Sequence, residues 1–171
     1  HEPISVPHSY AVHEFNRAFS QVPNNSFYDL GRPFIQQHNG ETVYVAPLKF
    51  SGFFRWKDEG ELPGYFILSA TDINDQVEFI EETYEYAPGA YFSKDANRQI
   101  RSNFKSLKLI GDLRMEIDQD GKPYFFKAYG DYIKSYGKVG QEVEGIILLD
   151  PRTGETTQYE LGDVPEWISS P

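Results

Sequence analysis

One order of elements occurs twice in this chain at a fixed spacing, and that duplication limits the possible folds more than any other feature. Phe34-Ile35-Gln36-Gln37-His38, then Asn39-Gly40, then Glu41-Thr42-Val43-Tyr44-Val45 read as strand, two-residue turn and strand. From Phe34 to Met115 the offset is 81 residues, and there the arrangement recurs: Met115-Glu116-Ile117-Asp118-Gln119, then Asp120-Gly121, then Lys122-Pro123-Tyr124-Phe125-Phe126. Asn-Gly and Asp-Gly suit the type I′ hairpin turn, whose two central residues both need positive φ. A third, apolar strand keeps the offset, Gly64-Tyr65-Phe66-Ile67-Leu68-Ser69 against Gly145-Ile146-Ile147-Leu148-Leu149-Asp150. A turn and a fourth strand close each copy, with Gln76–Ile80 in the first and Thr156–Leu161 in the second.

An amphipathic helix precedes each set of strands. Ala11, Phe15, Phe19 and Val22 recur at i, i+4, i+8 and i+11, and Ala96, Ile100, Phe104 and Leu107 repeat that spacing, one apolar stripe in each case. Ser9 and Ser93 stand where N-caps are expected. The expected fold is therefore α+β: one domain over residues 1–171, built from two repeats of one helix packed on a three- or four-stranded antiparallel sheet. The repeats are placed at about 9–85 and about 93–167.

A chain of 171 residues with 39% hydrophobic and 25% charged residues has the composition of a globular domain. Its net charge of −10 argues against a nucleic-acid partner, because phosphate binding depends on clustered Lys and Arg, and no basic run exceeds two residues. No apolar stretch approaches bilayer length, so direct membrane insertion by this segment is not expected. Cysteine is absent, which removes thiolate metal sites and a cysteine nucleophile. The chain opens at His1 and closes on Val164-Pro165-Glu166-Trp167 and Ile168-Ser169-Ser170-Pro171, which read as a last turn running into a linker. A piece of a larger polypeptide is the expectation.

The residues offer no catalytic or metal pattern. None of His1, His8, His13 and His38 has an i, i+4 partner of the His-Glu-x-x-His kind. Asp118-Gln119-Asp120-Gly121 and Asp72-Ile73-Asn74-Asp75 lack the spacing of a calcium loop and read as hairpin turns. Acidic pairs such as Glu81-Glu82 are expected at random among 26 acidic residues. No cofactor, metal or catalytic residue is assigned, and a non-enzymatic role is expected. The informative residues are aromatic. Phe50, Phe53, Phe54 and Trp56 crowd the connection between Ala46 and Gly64, and Tyr129, Tyr132 and Tyr136 occupy the matching region of the second repeat. Such groups either cover a core or present a partner-binding surface, so Phe53, Phe54, Trp56, Tyr129, Tyr132 and Tyr136 are the candidate contact residues.

The second repeat resembles the PepSY family. Met115-Glu116-Ile117-Asp118-Gln119-Asp120-Gly121-Lys122-Pro123-Tyr124 matches its strand, acidic-Gly turn and aromatic strand, and Gly145-Ile146-Ile147-Leu148-Leu149-Asp150-Pro151-Arg152-Thr153-Gly154-Glu155 matches its apolar strand ending in Asp-x-x-Thr-Gly-Glu. About two-thirds of the second repeat is covered. The first keeps Asn39-Gly40-Glu41-Thr42-Val43-Tyr44 but lacks the closing Thr-Gly. The resemblance implies a location outside the cytoplasm, a membrane-anchored parent or a peptidase propeptide, and a non-catalytic role. The expected function is a binding or structural module with a protein partner in the cell envelope; the alternative is a domain that inhibits or regulates a peptidase through its aromatic loops.

Overall fold

Asn39 and Gly40 both adopt positive φ, 50° and 85°, and so close the first hairpin with a tight two-residue turn. The computed structural model describes residues 3–135 and 138–168. Among these the elements run α1 (His8–Phe19), β1 (Tyr28–Leu30), β2 (Phe34–His38), β3 (Glu41–Phe50), α2 (Phe53–Glu59), β4 (Tyr65–Ser69), β5 (Glu78–Ile80), α3 (Ala96–Asn103), β6 (Leu109–Ile117), β7 (Pro123–Ser135), β8 (Lys138–Leu149) and β9 (Thr156–Glu160). They form two antiparallel sheets and the fold is α+β. In the first, β3 carries β1 and β2 along one edge and β4 then β5 on the other; the second has the order β6-β7-β8-β9.

The registers of the two sheets correspond. Val45 faces Ile67 across β3 and β4, and Phe126 faces Leu148 across β7 and β8, each 81 residues on. Tyr65 faces Ile80 and Ile146 faces Tyr159, so β5 and β9 hold the same place. Gly64 and Gly145 precede the matched strands, and a Cβ built on either would fall inside the carbonyl oxygen of Ile80 or Tyr159. Only glycine admits so close a strand neighbour.

The first edge strand differs in detail. β1 and β2 are separated by Gly31-Arg32-Pro33, and β6 is continuous but irregular between Ile110 and Arg114. The break explains a proline inside a central strand. Pro47 accepts a hydrogen bond from Gly31 N–H at 2.7 Å, so its own missing donor would have pointed at the same gap, where no strand needs it. The second hairpin also departs from the expected two-residue turn. Ile117 faces Pro123, Asp118 N–H donates to the Lys122 carbonyl, and Gln119-Asp120-Gly121 form a three-residue loop with Gly121 at φ 79°. Asp118 imposes the longer loop by accepting from Asp120 N–H and Lys122 N–H, both at 2.9 Å.

The helices are shorter than the stripes suggest, ending at Phe19 and Asn103, and Val22, Phe104 and Leu107 pack on the core from beyond them. Neither serine caps. Pro7 precedes α1 with no side-chain cap, and Asp95 caps α3 by accepting from Arg98 N–H at 2.9 Å. Phe15 and Phe19 set α1 against Phe66 on one face of the first sheet. The opposite face meets the second unit, where Tyr65 donates to the Gly121 carbonyl at 2.5 Å. β3 is consequently buried from Thr42 to Leu48 on both faces. At the junction the Gln36 amide accepts from Ile117 N–H at 2.9 Å and donates to the Ile117 carbonyl at 3.1 Å. One continuous core spans both sheets.

The linker is ordered too. Leu62 and Tyr84 exchange backbone bonds, and the Tyr84 hydroxyl meets the Leu48 amide and the Leu48 and Gly64 carbonyls at 3.3–3.4 Å. Full burial pushes that phenol above its usual range. The expected last turn stands at Glu166-Trp167, but Ile168, placed in the linker, is buried on the outer face of the second sheet with Phe126, Ile146 and Leu148, so residues 164–168 pack back onto the fold.

Two outcomes follow, both read by chemical denaturation. Gly64→Ala and Gly145→Ala should each cost at least about 1–3 kcal/mol through overpacking, whereas Gly162→Ala, with open space around it, should stay within about 0.5 kcal/mol of the parent. Gln36→Leu should cost about 1–3 kcal/mol for each of the two Ile117 backbone groups it strands in the core.

Candidate functional site

Two glycines cut a short helix out of the connection between β3 and β4. Gly52 enters it at φ 100° and Gly60 leaves it at φ 76°, with Gly60 N–H returned to the Trp56 carbonyl at 2.9 Å. The seven residues between, Phe53 to Glu59, place Phe53 and Trp56 three apart on one face, and Phe54 points away from it. Trp56 packs against the main core, while Phe54 is 75% exposed. The expected contact residues Phe53, Phe54 and Trp56 are thus together, some folded inward and one left in solvent.

The structure adds two rings that sequence reasoning did not assign. Phe53 lies 5.3 Å from Tyr91 and 6.3 Å from Phe92, and Trp56 lies 5.5 and 5.8 Å from the same pair. The outcome is a five-ring surface cluster in which Phe92 remains 62% exposed. Phe92 has φ 55°, a left-handed conformation that costs a bulky L-residue about 1–2 kcal/mol. Its surroundings enforce it: Asp95 accepts from Gly89 N–H at 3.1 Å on one carboxylate oxygen and from Arg98 N–H on the other, which clamps the turn before α3. The available signal was the pair Tyr91-Phe92 standing between Gly89 and the true cap Asp95, hidden when Ser93 is read as the cap.

The border of the cluster is charged. The Arg55 guanidinium lies 4.5 Å over the Phe27 ring, and Lys57, Asp58, Glu59 and Glu61 are exposed alongside. The neighbouring Tyr28 phenol is pushed up first by burial and then by the charges of Glu59 and Glu61, a sign of the negative field on this side. Two of the cluster's rings, Phe54 and Phe92, face solvent. The cluster can supply apolar contact area with little side-chain entropy to lose.

The tyrosines belong elsewhere. Tyr129 is 4% exposed and donates to the Tyr159 carbonyl at 3.3 Å, with its ring occupying the space a Cβ on Gly145 would need, so it is a core residue and no contact surface. Tyr132 lies in β7, its backbone paired with Gln141 where the hairpin has run past β6 and β9. Tyr136 lies outside the described residues. The region expected to be a loop is therefore a β-hairpin. Among the described residues no group of three or more His, Asp and Glu side chains is placed to hold a metal ion.

The Trp56 indole nitrogen is buried and has no hydrogen-bond partner among the described residues. Trp56→Phe keeps a ring and removes that donor, so its denaturation midpoint should match or exceed the parent's, since an unpaired buried donor costs about 1–3 kcal/mol. No protein-family model matches this chain, and no curated protein and no solved structure matches it.

Proposed function

We propose that this chain is a non-catalytic binding module of a larger, membrane-anchored bacterial protein, working outside the cytoplasm, and that it meets a protein partner through the Phe53, Phe54, Trp56, Tyr91 and Phe92 cluster. The observation that carries the reading is the solvent exposure of Phe54 and Phe92 at 75% and 62%, on rings held from behind by Trp56 and by the clamped turn at Asp95. A preorganised aromatic protrusion surrounded by charge is the form of a binding hot spot. The compartment is supported by the PepSY-like run from Met115 to Tyr124 and the closing Asp150–Glu155 turn, and a cysteine-free chain is compatible with it. Among the described residues no helix is long and apolar enough to cross a membrane, so the proposed anchor belongs to other parts of the parent.

A photo-crosslinking residue at Phe54, introduced into the full-length parent in cells, tests this. A discrete envelope protein should be captured from position 54, and capture should fail in a Phe92→Ala background. The same reporter at exposed Gln158 on β9 should capture nothing. Capture from 158 and not from 54 would remove the cluster as the interface; a peptidase as the captured species would turn the role toward inhibition. Phe54→Ala and Phe92→Ala should leave stability within about 0.5 kcal/mol, as exposed substitutions do, and should weaken the purified complex by about tenfold or more, as measured by calorimetry.

A further inference from the structure

The segment that covers the outer face of the second sheet leaves Trp167 standing between two concavities. One, of about 540 Å³, lies between this segment and the two hairpin turns, with His38, Asn39, Gln119 and Glu166 among its walls. The other, of about 260 Å³, shares Trp167 and is bounded by Tyr124, Tyr159, Thr157 and Glu155. The larger falls within the usual size of small-molecule sites, and the two adjoin through one ring.

That ring is fixed in place. Trp167 packs on Tyr124 with centroids 5.1 Å apart, and the Arg152 guanidinium lies 4.7 Å over the Tyr124 ring. Arg152 is itself held by Asp150 at 3.1 Å and by the Pro123 carbonyl at 2.8 Å. A ligand would meet a platform that is already ordered, which limits the entropy lost on binding.

The chemistry of the walls selects the ligand. Imidazole, amide, hydroxyl and carboxylate groups offer donors and acceptors side by side with three aromatic rings. An anion would face Glu166, Asp118 and Glu155 within a chain of net charge −10. An apolar ligand would strip water from the polar walls without replacing its hydrogen bonds. A sugar satisfies both conditions, with its C–H face against an aromatic ring and its hydroxyls toward the amides and carboxylates. We infer that the two concavities flanking Trp167 form a groove that binds a neutral oligosaccharide. This site is separate from the aromatic cluster of the first unit and does not depend on the role given to that cluster.

The chain has two tryptophans, so a Trp56→Phe variant leaves Trp167 as the sole indole, read by excitation selective for tryptophan over tyrosine. Titration with neutral hexose and N-acetylhexosamine tetrasaccharides at millimolar concentration should give a saturable change in its emission, and a trilysine peptide should give none. His38→Ala and Glu166→Gln at the walls should each weaken sugar binding several-fold with an unchanged denaturation midpoint. Trp167→Ala, followed by calorimetry, should lose at least about a factor of ten in affinity. The absence of a saturable change with every sugar tested in the folded protein overturns the inference. Saturation by the lysine peptide alone also overturns it, as does sugar binding that survives unchanged in all three variants.

Discussion

The Gln36 side chain joins the two sheets. Ile117 belongs to β6, the first strand of its sheet, and its N–H and carbonyl point away from β7 into the interior, where no water can serve them. An edge strand buried in this way needs a partner with one donor and one acceptor at peptide spacing, and a glutamine amide is that unit on a flexible stem. Tyr65 to Gly121 and Asn39 to Gln119 extend the same seam toward the hairpin turns. Directional bonds at three points fix the sliding position of the sheets, which apolar packing alone leaves loose. The continuous core, the doubly buried β3 and the groove between the two turns all follow from that alignment.

The two sheets, whose registers correspond, present different surfaces because their connections differ. In the second unit the Asp-Pro-Arg-Thr-Gly-Glu turn is a structural fixture. Asp150 accepts from Arg152 N–H at 3.0 Å, Gly154 N–H returns to the Asp150 carbonyl at 2.8 Å, and Gln99 of α3 donates to the Gly154 carbonyl. In the first unit the corresponding stretch is closed locally by Ser69 and Asp75 instead, where Ser69 N–H donates to the Asp75 carboxylate at 3.0 Å. The glycine-bounded helix α2 has no counterpart among the described residues of the second unit, and it carries three of the five rings of the aromatic cluster.

Most of the strand framework was legible in the sequence because period-two apolar runs and an Asn-Gly turn are local signals and the 81-residue offset tied them together; the short β1, which makes the first sheet five-stranded, and the outer part of β7 and β8 were missed. Features decided by single side chains were not. Asp118 turns a two-residue hairpin into a three-residue loop by bonding its own backbone, and Asp95 outcompetes Ser93 as the cap because its carboxylate serves two amides at once. Helix α2 is too short to show a period. The candidate contact residues divided for a related reason: Phe54 and Tyr129 look alike as sequence, and only tertiary packing sends one outward and the other beneath Gly145.

The linker between the units has a topological consequence. Glu85 and Tyr86 both donate to the Pro151 carbonyl, at 2.9 and 3.0 Å, and the Tyr86 ring rests against Gly154, where any side chain would displace it. The crossover from the first unit is thereby fastened to the far corner of the second. Exchange of units between two molecules requires a hinge that can straighten at little cost. Here straightening would tear a backbone carbonyl from two donors and lift a ring from its seat, which sets a cost against passing one sheet of this chain to a second molecule.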